Sequence, residues 1–154
     1  RGLVPTMGRL EGEALLRLLE IRRTLENDVV RKATIKATPA QREDIGRLCT
    51  ALLVDVDAGL PWRKADHAFH GAIYDASGNP MYGQLLVNLD DALERGGKSP
   101  FSADAFGLDS FPIHRDLADA ILAQNPDAAV DAIGRIIDVV EREVQAIIDG
   151  DNLS

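Results

Sequence analysis

The chain has 154 residues and a mass of 16.7 kDa, which is one domain's worth of protein. Its 45% hydrophobic and 27% charged residues exclude disorder, and the single Cys49 excludes a disulfide framework and a cysteine-based zinc site. A formal net charge of -8 makes the chain by itself a poor partner for phosphate backbones.

The stretch RGLVPTMG, residues 1–8, has no periodicity and reads as a linker or an expression remnant. Residues 9–150 read as one helical domain. A first helix is predicted from Arg9 to Val30, with Leu10, Leu15, Leu16, Leu18, Leu19, Ile21 and Leu25 on its apolar stripe. Thr38-Pro39-Ala40-Gln41 is a helix start: Thr38 as N-cap, Pro39 at the first helical position and Gln41 reaching back as in a capping box. That second helix carries Ile45, Leu48, Leu52, Leu53 and Val56, and ends before Gly59. Pro61 opens a third helix that runs to about Ala76.

Ser77-Gly78-Asn79-Pro80 combines a helix stop with a new N-cap. The fourth helix carries Met81, Tyr82, Leu85, Leu86, Leu89 and Leu93, and ends at Gly96-Gly97. Residues 96–107 form the one long irregular segment. A fifth helix is predicted from Ser110 to Ala123, with His114, Leu117 and Ile121 on one stripe. Asn125-Pro126-Asp127 repeats the N-cap and proline pattern, and the last helix runs to Gly150. Six helices with short connections and no strand predict an all-α antiparallel bundle. No apolar run approaches the ~18–20 residues that span a bilayer, so no membrane association is expected.

Charge is uneven along the chain. Residues 1–36 hold eight basic and five acidic side chains, whereas residues 104–154 hold three basic and eleven acidic ones. Solvated helix faces account for this pattern.

Chemistry-bearing residues are few. Asp66 and His70 are four apart and share a helix face with Trp62, Phe69 and Ile73. A carboxylate on an apolar face needs a partner: a divalent cation, a buried Asp–His hydrogen bond, or an arginine from another helix. His114 alone reads as a satisfied core or cap histidine sooner than as a ligand. His67 falls about 100° around the helix from Asp66 and points toward solvent or a helix interface. Cys49 reads as a small buried side chain. No nucleophile elbow, P-loop, dinucleotide-binding glycine pattern or H-E-x-x-H motif is present.

Four segments in order resemble one family. They are Glu20-Ile21-Arg22-Arg23-Thr24-Leu25-Glu26; Asp66-His67-Ala68-Phe69-His70 followed by Ala76-Ser77-Gly78-Asn79-Pro80; the run from His114 to Ile121; and Asn125-Pro126-Asp127-Ala128-Ala129. Together they resemble the FCD domain, the C-terminal effector-binding domain of FadR-type GntR-family transcription regulators. The resemblance spans about residues 13–147. It implies a six- to seven-helix antiparallel bundle with a central ligand cavity and no enzymatic activity. It also implies a cytoplasmic homodimer that contacts DNA only through a winged helix-turn-helix domain, which nothing in this chain matches. In many members an Asp and three His hold a divalent metal, Zn²⁺ or similar, beside which a small organic acid binds. Asp66, His70 and His114 match three of those ligands. The fourth falls on Ile136, which cannot ligate, so either the metal is lost or the site is more open.

Three protein ligands plus water or substrate is a workable zinc site. Arg22 would either give a carboxylate effector a charge-assisted, bidentate hydrogen bond or form a surface or interhelical salt bridge. The competing readings are a small helical metal-dependent hydrolase or lyase using Asp66, His70 and His114, and a purely structural dimerisation module. No second carboxylate or other base is identifiable beside the three ligands, which weighs against the enzyme.

Overall fold

The structure, a computed structural model, describes residues 9–94, 103 and 105–152. Expectations for residues 1–8, and for most of 96–107, fall outside the described residues. Six α-helices follow in order: α1 Arg9–Lys36, α2 Pro39–Asp57, α3 Arg63–Ala76, α4 Pro80–Glu94, α5 Phe111–Leu122 and α6 Pro126–Asn152. A short 3₁₀ turn, Leu108–Ser110, leads into α5. No strand occurs among the described residues.

Local chemistry sets most boundaries. The Gln41 N–H donates to Thr38 Oγ1 at 3.1 Å, and the Thr38 N–H donates to Gln41 Oε1 at 2.9 Å, which completes the predicted capping box. Asn79 Oδ1 accepts from the Met81 N–H, and Asn125 Oδ1 accepts from the Ala128 N–H. Gly78, at φ +80, supplies the left-handed residue between α3 and α4.

Two ends differ from expectation. The first helix runs to Lys36, six residues past Val30. Ala33 and Thr34 continue its buried stripe, and the Thr34 hydroxyl donates to the Val30 carbonyl at 2.7 Å. The helix stops only where Pro39 forces Thr38 into extended backbone. The third helix starts at Arg63, not at Pro61. Trp62 precedes it, edge-on to Phe111 and under the Arg63 guanidinium.

Helices α1 and α6 form the most extensive pair, α5 packs on α6 and α2, and α3 lies across α2 and α1. The fourth helix packs on α1 and α3. Arg23 ties α1 to α6, donating to Asp138 at 2.7 Å and to the Gly134 carbonyl at 3.3 Å. The main core includes Val29, Ile45, Leu52, Phe69, Leu117 and Ile133, all at most 1% exposed. A second cluster, Leu15, Leu19, Leu93, Val144 and Ile148, closes the other end.

Ile21 does not join the apolar stripe as expected and is 52% exposed. The buried line of α1 instead passes through Leu15, Leu19, Glu26, Val29 and Ala33, with Arg22 largely buried along it. That line follows the i+3/i+4 helical step, and Ile21 falls well off it.

Candidate functional site

A cavity of about 250 Å³ lies where the two apolar clusters meet. Leu19 and Leu93 come to it from one cluster, and Phe111, Ile133 and Ile136 from the other. Its polar side carries Asp66, His70 and His114. The three residues expected to share a site therefore do so. Asp66 and His70 come from successive turns of α3, and His114 from the first turns of α5.

The contact is tight. Asp66 Oδ1 is 3.2 Å from His70 Nε2 and 3.1 Å from His114 Nε2, and the two Nε2 atoms are 3.2 Å apart. His70 and His114 are buried, at 7% and 2% exposure. The ring of His114 is aimed by the turn before it. Gly107, at φ +80, takes a left-handed conformation that disfavours other residues, and its N–H donates to Glu143 Oε2 on α6 at 2.7 Å. The 3₁₀ turn follows, and the Ser110 carbonyl accepts from His114 Nδ1 at 2.9 Å. A carbonyl can only accept, so Nδ1 carries the hydrogen. In the neutral ring Nε2 then presents its lone pair to the cavity.

This arrangement has an electrostatic consequence. A carboxylate oxygen and two imidazole nitrogens in mutual contact repel one another unless positive charge lies among them. That charge is either a proton on the rings or a cation. A tetrahedral zinc with bonds of about 2.0–2.1 Å holds its donor atoms roughly 3.3 Å apart. The three observed separations match that spacing, so the donor set fits a divalent ion. Without one, the same charges act on the protons. Burial opposes the ionisation of Asp66, but the imidazoles of His70 and His114 outweigh it and hold the carboxyl well below the usual carboxylate range. Burial likewise opposes the charge on His70, but Asp66, and beyond it Glu26, raise its pKa.

Ile136 lines the cavity and is 7% exposed. At the position expected of a fourth ligand the chain thus presents an aliphatic wall. His67 is exposed and borders the cavity rim. Cys49 is fully buried, and burial pushes its thiol pKa up.

Arg22 also lines the cavity, but it is already engaged. Its Nη1 is 2.7 Å from Asp90 Oδ1 on α4, and its Nε is 3.5 Å from Glu26 Oε1. Tyr74 donates to that same Glu26 oxygen at 2.5 Å. Burial and the Glu26 carboxylate push the Tyr74 pKa well above its ordinary value. Burial raises the pKa of Asp90 despite the adjacent arginine.

The residue reading did not single out Glu26, Tyr74 or Asp90 for the site. Spacing carried a signal for each. Glu26 follows Leu19 and Arg22 on the α1 stripe, Tyr74 follows Asp66 and His70 at four-residue steps, and Asp90 lies between Leu86 and Leu93, both buried. Polar residues on a buried stripe are functional or paired.

Comparison with known proteins agrees with this architecture. The FCD domain family model matches residues 17–139. The chain belongs to the FCD domain family. A solved structure of Streptococcus agalactiae GntR is similar, with a TM-score of 0.69 and 27% identity over 87% of this chain. The similarity spans 59% of that longer chain. A search of curated proteins returns no match. The domain is a GntR-type effector-binding regulatory domain and not an enzyme. Among the described residues, no helix is long and apolar enough to cross a membrane.

Proposed function

We propose that this domain, residues 9–150, senses a small organic acid through a divalent metal held by Asp66, His70 and His114, with Arg22 as second anchor. The observation that carries the reading is the mutual 3.1–3.2 Å contact of three donor atoms, two of them on buried imidazoles and one of these oriented by the Ser110 carbonyl. A bound divalent ion supplies positive charge and open coordination positions, both of which favour an anion. One carboxylate and two neutral imidazoles leave that charge only partly neutralised. Ile136 and its aliphatic neighbours exclude water around the carbon skeleton of the ligand. Arg22 then exchanges Asp90 for the carboxylate of the effector, a charge-assisted bond in place of another.

The domain acts as a homodimer in this reading. It controls DNA binding by a winged helix-turn-helix domain outside residues 9–150. Metal analysis of purified protein, followed by calorimetric titration with small carboxylates, amines and sugars, tests it. One equivalent of metal and heat only from carboxylates is the expected result. Binding of amines or sugars but no carboxylate rejects the effector class.

A further inference from the structure

Two buried polar atoms on residues tied to the site have no hydrogen-bond partner among the described residues: His70 Nδ1, on the ring that carries one of the donors, and Glu26 Oε2, whose other oxygen is held by the cavity-lining Tyr74 and Arg22. Their chemistry is complementary. When Nε2 of a neutral imidazole offers a lone pair, Nδ1 must carry hydrogen and needs an acceptor. Glu26 is fully buried, and its other oxygen, Oε1, is already taken by Tyr74 at 2.5 Å and faced by Arg22 Nε at 3.5 Å. Oε2 is the acceptor left over.

Tyr74 lies four residues after His70 on α3, and their rings are 6.3 Å apart. The hydroxyl that fixes Glu26 therefore comes from the turn next to His70. Neither Nδ1 nor Oε2 has appreciable solvent-accessible surface and Glu26 does not line the cavity, so the bridge between them is enclosed rather than part of the open cavity. A buried carboxylate left with an unsatisfied oxygen is costly, and a stripe of leucine and valine would otherwise select an apolar residue at position 26.

We propose that Glu26 is a positioning residue for the metal centre: through one ordered water it accepts from His70 Nδ1–H, fixing the tautomer that turns Nε2 toward Asp66 and His114. Tyr74 holds Glu26 in place for this. His114 receives the same service from the Ser110 carbonyl, so each imidazole has its own outer acceptor. The inference rests on the metal reading above.

The test compares wild type, Glu26→Gln and Tyr74→Phe by zinc titration against a chromophoric chelator, with melting of the metal-free proteins in parallel. Loss of an outer-shell partner lowers metal affinity by about 10–100-fold. Glu26→Gln is expected to lose affinity in that range. Its metal-free melting temperature is expected to fall, because Arg22 and Tyr74 lose a charged partner, so the zinc affinity and not the stability carries the test. A purely structural role would lower stability and leave affinity alone. Tyr74→Phe should weaken zinc in the same direction, and decides the matter if Glu26→Gln does not fold. Equal zinc affinity in all three proteins overturns the inference and leaves the metal reading intact. A wild type that takes up no zinc overturns the metal reading instead. The ¹⁵N signals of His70 in metal-free protein, at a pH where the ring is neutral, then decide this point. A hydrogen on Nδ1 that is lost in Glu26→Gln supports the role of Glu26, and a bare Nδ1 in wild type refutes it.

Discussion

Asp66→Asn is the most informative perturbation of the three-donor site. Asparagine keeps the volume and removes the charge that both imidazoles face at 3.1–3.2 Å. Zinc at about 100 times its dissociation constant stabilises a native state by roughly 2.7 kcal/mol. The unfolding entropy of about 2.1 cal/mol/K per residue gives roughly 0.32 kcal/mol/K over this chain, so wild type should melt about 8 °C higher with zinc. Loss of an outer-shell partner alone weakens a metal site by about 10–100-fold, and loss of a ligating carboxylate should do at least as much. With a loss of about 100-fold, the variant at the same zinc concentration is near half-saturation. Its gain is about 0.4 kcal/mol, or roughly 1 °C. Scanning calorimetry of chelator-treated protein, with and without zinc, reads both numbers. Circular dichroism of the metal-free protein should stay strongly helical, because the two apolar clusters are built without the ion. A full 8 °C shift in Asp66→Asn would place the ion elsewhere, and a coil spectrum after chelation would make the metal structural.

Ile136→His places a fourth nitrogen on the cavity wall and should raise zinc affinity in a competition titration; no gain would show that the wall is too far from the donors. In metal-free protein His70 has a raised pKa, so the stabilisation it provides is complete below the unfolded value of about 6.5 and is lost as pH rises through the folded value. The chelated domain should therefore melt at falling temperature as pH increases above that point, with a flatter profile in Asp66→Asn. Asp90→Asn releases Arg22 from its 2.7 Å ion pair and should tighten malonate binding, whereas Arg22→Met should weaken it. A hydrogen bond to a charged group is worth about 1.5–3 kcal/mol, so the Arg22→Met loss should be roughly 10–100-fold by calorimetry.

Much of this protein is written in local sequence. The helix starts at Pro39, Pro80 and Pro126 follow from an N-cap residue before a proline, and the capping box at Thr38 and Gln41 forms as its residue types require. Such signals act within a turn of chain, so no tertiary context is needed to see them. The pairing of Asp66 with His70 is equally local, since four residues span one helical turn. The family resemblance, not spacing, brought His114 to them.

Other features depended on which helices meet. Thr38 and Pro39 mark the end of α1, yet its periodic stripe alone suggested an earlier stop, because Ala33 and Thr34 are weak apolar signals until α1 is packed. The exposure of Ile21 and the burial of Glu26 were decided by the direction in which α1 faces α3, α4 and α6. A helix stripe leaves tens of degrees of rotational freedom, and only the packed neighbours fix it. The pairing of Arg22 with Asp90 joins α1 to α4, 68 positions along the chain, which no spacing rule encodes. The orientation of His114 depends on a left-handed Gly107 and a 3₁₀ turn held to α6 by Glu143. Residue types and local periodicity thus determined the helices and part of the donor set. The mutual approach of the donors, and the charged groups that surround them, were decided only when the helices packed, because charges act through space rather than along the chain.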